Sequence, residues 1–240
     1  MIDPWLTKDP FWPKAEKAPE KLREIDVILV THAHFDHASG IEEIASANDK
    51  VVIIAQYELA LSLINRGVRN VVPTSCGATV DLLGMKVNAV PAAHSSSTMD
   101  EQGVIRTIGL PLGYVIQFGD GRSVYASGDT GLTADMKFVV GDYFKPEISI
   151  LSATGGVVME PEQAAYAADA TGCQYAIPFH DFPRTITEAA DPEGYAEFLK
   201  LDPFGILDSY KKIDRFLATL KAEYPHIEGI YIPIGGTMEL

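Results

Sequence analysis

The segment Thr31-His32-Ala33-His34-Phe35-Asp36-His37 sets three imidazoles and a carboxylate within six positions. Neutral imidazole and carboxylate are the ligands that zinc, manganese and iron take from proteins. The chain has six histidines, and half of them lie here. A scattered polar loop would not concentrate them so, whereas a clustered His/Asp set points to a metal or catalytic site. The residues just before it, 25–30, are an apolar run that reads as a buried strand. In an extended chain, residues i and i+2 share a side. His32 and His34 can therefore converge on one ion at the strand's end. Asp36 and His37, in the turn that follows, can reach a second point nearby. Two adjacent ions imply hydrolytic chemistry.

Three further candidates each follow a predicted strand. His94 stands in Ala92-Ala93-His94-Ser95-Ser96-Ser97, Asp129 in Ser127-Gly128-Asp129-Thr130-Gly131, and His180 in Phe179-His180-Asp181-Phe182. Singly, each has a plain structural reading: a hydrogen-bonded histidine, or a Gly-Asp-Thr turn. With the first segment they make a set of five His and two Asp. Only His226 is left out, and it reads as a surface residue near a helix end.

The elements that must position these residues follow from periodicity and punctuation. Residues 1–24, rich in Pro, Lys and Asp, read as an irregular arm packed by Trp5 and Trp12. Strands are expected at 25–30, 51–55, 68–72, 79–82, 86–91, 113–118, 122–126, 148–151, 175–178 and 230–234, with a hairpin turn at Gly119-Asp120-Gly121. Helices are expected at 40–46, 58–65, 161–170, 195–200 and 209–222, the third opened by Glu160-Pro161-Glu162 and closed by Gly172. The first half is strand-heavy and the second alternates, which implies two sheets with helices outside them. At 240 residues, residues 1–240 are expected to form one domain.

The net charge of −14 argues against nucleic acid as a partner. Cys76 and Cys173 do not suggest a disulfide framework and read as buried, reduced thiols. No signal peptide and no membrane-spanning run is apparent, so the cytoplasm is the expected location and no membrane partner is expected.

The order His32-x-His34-x-Asp36-His37, His94, Ser127-Gly128-Asp129-Thr130, His180 resembles that of the metallo-β-lactamase-fold hydrolases. Ile2-Asp3-Pro4-Trp5, Ala93-His94-Ser95-Ser96, Gly113-Tyr114, Gly128-Asp129-Thr130-Gly131-Leu132 and Glu160-Pro161-Glu162-Gln163-Ala164-Ala165 are similar to the L-ascorbate-6-phosphate lactonase-like branch. The resemblance implies an α/β (α+β) fold, an αββα sandwich of two mixed sheets with helices on the outer faces. It implies two divalent metal ions, Zn, Mn or Fe. His32, His34 and His94 would hold one, and Asp36, His37 and His180 the other. Asp129 would bridge them, Asp3 would steady the ligand loop from behind, and Asp36 would orient the attacking water. Such proteins usually carry two strands before the Ile-Asp-Pro segment, whereas here that segment starts at Met1, so the hairpin is expected to be missing. Either the start is truncated or the sheet edge is covered another way; an uncovered edge is a pairing hazard that a second copy could cap, which favours a homo-oligomer.

The expected function is metal-dependent hydrolysis of a small anionic metabolite, a phosphorylated sugar lactone above others. Arg184, Arg106 and Lys137 are candidate contacts for its anionic group, and Ser95-Ser96-Ser97-Thr98 could donate hydrogen bonds. The alternatives are a phosphodiesterase or nuclease on the same centre, and a non-catalytic metal-binding protein. Neither a Gly-x-Ser-x-Gly elbow nor a Walker-type loop is present.

Overall fold

The computed structural model describes residues 1–240 apart from 7–8, 101, 184–188, 201–209 and 240. Its strands, in chain order, are β1 (Val27–Val30), β2 (Val52–Gln56), β3 (Val71–Thr74), β4 (Thr79–Leu82), β5 (Met85–Pro91), β6 (Ser97–Met99), β7 (Ile105–Thr107), β8 (Leu112–Gln117), β9 (Ser123–Ala126), β10 (Ile148–Ser152), β11 (Tyr175–Phe179) and β12 (Glu228–Gly229). The helices are α1 (Pro19–Leu22), α2 (Phe35–Ala38), α3 (Ile41–Ala47), α4 (Tyr57–Asn65), α5 (Pro161–Thr171), α6 (Pro192–Leu199) and α7 (Tyr210–Glu223).

β1, β2 and β3 form a parallel sheet in that order. Along β1, Val27 and Leu29 enter one buried cluster, while Ile28 and Val30 enter another. That is the two-residue alternation of an extended chain buried on both faces. The second sheet runs β12-β11-β10-β9-β8-β5-β4. Between the sheets, Val27, Leu29 and Ile54 meet Val87, Ala89, Leu112, Tyr114 and Ile116. Tyr114 also donates its hydroxyl to the Val30 carbonyl at 2.8 Å, and burial pushes its phenol above the usual range. On the outer face of the small sheet, Ile41, Ile44, Leu59 and Leu63 of α3 and α4 cover Ile28, Val30, Ile53 and Ala55. On the outer face of the large sheet, alanines of α5 and Phe216 and Leu220 of α7 cover Leu151 and Ala176. The layers are those of an αββα sandwich, as expected.

Strand direction is what positions the site. β9, β10 and β11 are mutually parallel. β5 and β9 are each antiparallel to β8, so β5 runs with them. Their C-terminal ends therefore share one edge of the sheet, which is where open α/β sheets carry their sites.

Several expectations need correction. The arm is partly helical, with a 3-10 turn at Lys14–Lys17 and then α1. The last strand falls at β12 rather than at 230–234. The cause is covalent. Ile230 N–H donates to the Ala176 carbonyl, and the next rung of a parallel ladder would need an N–H at residue 178, which is proline. The hairpin β6–β7 and the π-helical Met136–Phe144 carried no sequence signal. Gly141 lets that π segment lie against α5, since a Cβ there would sit 2.2 Å from the Ala170 carbonyl oxygen. Cys173 is buried as expected, but Cys76 is exposed. The outer edge of β1 is covered by the chain's own residues. Met1 and Asp3 exchange backbone hydrogen bonds with Leu29, the Met1 amine donates to the Val27 carbonyl, and the Asp3 carboxylate accepts from Thr31 N–H.

Candidate metal centre

Each sequence-predicted ligand sits just beyond a strand end. His32 and His34 follow β1, His94 follows β5, Asp129 follows β9, and His180 follows β11. Asp36 and His37 were expected in a turn. They lie instead in the single helical turn of α2, whose preceding residue is His34. Three groups of side chains have ligand atoms within 4.8 Å of one another and can hold a metal ion: His32–His34–His94, Asp36–His37–His180 and Asp3–His32–His37.

The first two groups meet at Asp129. Its Oδ2 lies 3.2 Å from His180 Nε2, 3.4 Å from His37 Nε2 and 3.7 Å from His94 Nε2. Asp36 Oδ2 lies 3.4 Å from His37 Nε2 and 3.7 Å from His180 Nε2. His32 Nε2 faces His34 Nδ1 at 2.9 Å. Ser95 Oγ stands 3.3 Å from His34 Nε2.

Behind these atoms a hydrogen-bond network sets the tautomers. Asp3 Oδ2 accepts from Thr31 Oγ1 at 2.6 Å and faces His37 Nδ1 at 2.9 Å. Thr31 Oγ1, its proton spent on Asp3, is left to accept from His32 Nδ1 at 3.0 Å. Thr154 Oγ1 stands 3.1 Å from His180 Nδ1. His32, His37 and His180 thus have Nδ1 engaged away from the centre and Nε2 directed into it, the arrangement that outer hydrogen bonds impose on metal-binding imidazoles. Two of these positions carry left-handed backbone on non-glycine residues, Asp3 at φ 49° and His180 at φ 73°. Such strain persists only where the surroundings over-determine it.

The loops are latched to one another. Ser96 Oγ accepts from Ala33 N–H and donates to the Ile108 carbonyl. Thr130 Oγ1 accepts from Ala93 N–H, and Gly131 N–H donates to the Ala93 carbonyl. Gly128, at φ 59°, has no room for a Cβ, which would lie 2.7 Å from Thr31 Cβ.

Charge separates the two groups. Burial lowers the imidazolium pKa of His32 to about 2 and lowers those of His34 and His94 as well, with neighbouring imidazoles adding to the effect. Burial acts the same way on His37 and His180, but the surrounding carboxylates outweigh it. Asp3, Asp129 and Asp36 raise His37, and Asp129 and Asp36 raise His180 to about 9. Burial would raise Asp36 and Asp129, yet contact with His180 and His37 holds both below the usual carboxylate range.

The donor set fits divalent metal ions. His37 Nε2 and Asp129 Oδ1 are buried without a hydrogen-bond partner, a costly state that coordination would relieve. Nitrogen and carboxylate donors suit zinc, manganese and iron alike.

The remaining expectations fall elsewhere. Arg106 is exposed and paired with Asp100 at 3.4 Å, and Lys137 is exposed and paired with Asp142. Arg184 lies outside the described residues. Of the Ser/Thr run, Ser95 reaches the centre, Ser96 is a buried latch, and Ser97 and Thr98 lie in β6. His226 is exposed and pairs with Asp169 at 3.1 Å. Sequence reasoning missed Thr31, Thr154 and Thr130. Thr31 and Thr130 each adjoin a candidate ligand and could have been flagged, whereas an isolated threonine at 154 carries no signal.

Residues 1–180 match the family model described as "Beta-lactamase superfamily domain", and the chain belongs to that superfamily. Over 204 residues it is 36% identical to a UPF0173 metal-dependent hydrolase of Methanopyrus kandleri, covering 84% of this chain and 85% of that one. A UPF0173 metal-dependent hydrolase of Rubrobacter xylanophilus is 34% identical over 183 residues, which is 75% of this chain and 72% of that one. The chain is a metal-dependent hydrolase of this UPF0173 group. Its fold matches that of a metallo hydrolase from Ignicoccus hospitalis, with a TM-score of 0.74 over 100% of this chain and 90% of that one, at 23% identity. It also matches an isothiocyanate hydrolase from Delia radicum gut bacteria, with a TM-score of 0.66 over 100% and 91% of the two chains, at 19% identity. At these identities the likeness is one of fold. Among the described residues, no helix is long and apolar enough to cross a membrane.

Proposed function

We propose that this hydrolase works through a two-ion centre and opens the ring of a small lactone. His32, His34 and His94 would hold one ion, and Asp36, His37 and His180 the other, with Asp129 between them. One observation carries the reading: two three-residue ligand groups converge on the same Asp129 oxygen, within 3.7 Å of a histidine nitrogen from each. Divalent ions supply Lewis acidity and a water that is nucleophilic at neutral pH.

The chain's own residues account for the rest. Water oxygen bonds to the lactone carbonyl carbon, the ring C–O bond breaks, and the departing oxygen takes a proton, giving a hydroxy acid. Of the two carboxylates, Asp129 is 3% exposed and Asp36 24%. Asp36 can therefore take a proton from the attacking water and release it to solvent, while Asp129 is closed off and serves to position. Ser95, exposed beside His34, can hydrogen-bond a substrate oxygen. The phosphorylated sugar lactone implied by the resemblance is one member of this class. Its phosphate would need a free cation, and Arg106 and Lys137 are each already paired.

The test is turnover by the Zn²⁺- and Mn²⁺-loaded chain on a phosphorylated sugar lactone, an unphosphorylated lactone and a generic phosphodiester, with Asp129→Ala as control. Lactone opening lost in the variant is the expected result. Diester cleavage without lactone opening would move the chain to a phosphodiesterase reading.

A further inference from the structure

A cavity of about 590 Å³ opens beside the Asp36–His37–His180 group, and those three side chains form part of its wall. This volume lies within the range of small-molecule sites, roughly 300–1,000 Å³. The rest of the wall is mostly apolar. It includes Trp5, Phe11, Trp12, Phe179 and Phe182, together with five isoleucines. No lysine or arginine is among the described residues that line it, and its other charged groups are the carboxylates of Asp3, Asp9 and Asp181. Away from His37 and His180, an anionic group placed there would meet carboxylates and no lysine or arginine among the described lining residues, whereas an alkyl or aryl group would be removed from water at a favourable free energy.

Trp5 Nε1 and Trp12 Nε1 are buried and have no hydrogen-bond partner. An indole N–H is a donor only. Neither nitrogen is exposed to the cavity, so the two tryptophans offer it ring surface rather than donors.

We propose that this cavity binds the apolar arm of the substrate, so that the chain acts on a neutral, lipophilic lactone or ester in preference to a phosphate-bearing one. The proposal rests on the hydrolase reading above and narrows its substrate class. It assigns Trp5 and Trp12 to substrate recognition, through ring surface.

The chain's two tryptophans both line the cavity, so intrinsic fluorescence reports on it without any turnover. The probe is a series of 5-alkyl-2-pyrrolidinones, methyl to octyl. These are lactams that match a lactone in shape and resist hydrolysis, and they are titrated into the metal-free chain. The expected result is a shift in tryptophan emission and a Kd that falls about fourfold per added methylene, or about 0.8 kcal/mol. Trp12→Ala should weaken every member by about tenfold while keeping the length dependence, because it removes ring surface from one part of the wall. Ile234→Arg should weaken the long members most. Inorganic phosphate should not displace the lactams. Binding that is independent of chain length, or displacement by phosphate, overturns the proposal. If the metal-loaded chain still opens short lactones in that case, the hydrolase reading stands and only the cavity assignment fails. Length-dependent lactam binding by a chain that opens no lactone supports the cavity as a ligand site and removes the lactone reading instead.

Discussion

Asp3→Asn is the change that tests the network behind the centre most directly. Asp3 Oδ1 accepts from Thr31 N–H at 2.7 Å, and Oδ2 accepts from Thr31 Oγ1 and from His37 Nδ1. An amide has one acceptor and one donor end. In one orientation its NH₂ faces the Thr31 N–H. In the other it faces the Thr31 hydroxyl and His37 Nδ1, which pushes the His37 proton onto Nε2, the atom directed at Asp36 and Asp129. Either orientation leaves a buried donor opposed, at roughly 1–3 kcal/mol, and weakens bonds that were charge-assisted. A total loss of about 3 kcal/mol is expected, which lowers Tm by about 6–12 °C in a chain of this size. Metal affinity should fall about 10–100-fold, as it does when the partner of a ligating imidazole is removed. Thermal melts with and without Zn²⁺, together with a chelator competition, measure both quantities. A variant that melts within 2 °C of the parent, by the order of magnitude above, and binds Zn²⁺ within about threefold of it would refute the role given to Asp3.

Gly128→Ala should cost about 2–5 kcal/mol. Left-handed backbone on a Cβ residue costs roughly 1–2 kcal/mol and overpacking roughly 1–3, and the new methyl strikes Thr31; the urea midpoint reads the loss, and a change under about 1 kcal/mol would contradict the packing. Metal-free stability should peak in mildly acid solution. His37 and His180 have raised pKa values, so their contribution is complete below the usual imidazole value of about 6.5 and is lost as pH rises through about 9 for His180. Asp36 and Asp129 have lowered values, so theirs is complete above the usual carboxylate value of about 4 and is lost as pH falls below it. His32, His34 and His94 have lowered values, so their contribution is complete above about 6.5 and is lost as pH falls below it. Denaturation midpoints from pH 3 to 10 should therefore peak near pH 6.5, and a maximum above pH 8 would contradict the charge assignments. Metal binding should release protons unequally. At pH 7.5 the metal-free His37 and His180 hold protons that a cation must displace, whereas His32, His34 and His94 are already neutral. Calorimetric titration in buffers of different ionisation enthalpy should show one proton-releasing phase and one silent phase, and two silent phases would sink the distinction.

Much of the site was legible because ligand chemistry is written in side-chain type. Neutral imidazoles and carboxylates clustered after an apolar run have few other uses, so His32, His34, Asp36 and His37 declared themselves. His94, Asp129 and His180 were readable by their place after strands. The strands themselves were readable where alternation or an apolar run was clean, as at β1, β5 and the β8–β9 hairpin. Legibility failed where the deciding interaction is remote. β12 stops where it does because of Pro178 in a neighbouring strand, some fifty residues away. The π-helical segment is shaped by its packing on α5, and the β6–β7 hairpin by pairing alone.

By itself the sequence determined which groups are available for chemistry and which strands carry them, because residue type and local periodicity are properties of a few neighbouring positions. Only the tertiary structure decided that β5, β9, β10 and β11 end on one edge, so that loops from four parts of the chain meet at Asp129. It alone placed Asp3, Thr31 and Thr154 behind the imidazoles, and so chose which nitrogen faces inward. It also divided the histidines into a neutral group and a protonated one, although all five are the same residue. That division depends on distances to carboxylates brought together only by folding, and electrostatic energy follows distance in space rather than separation along the chain.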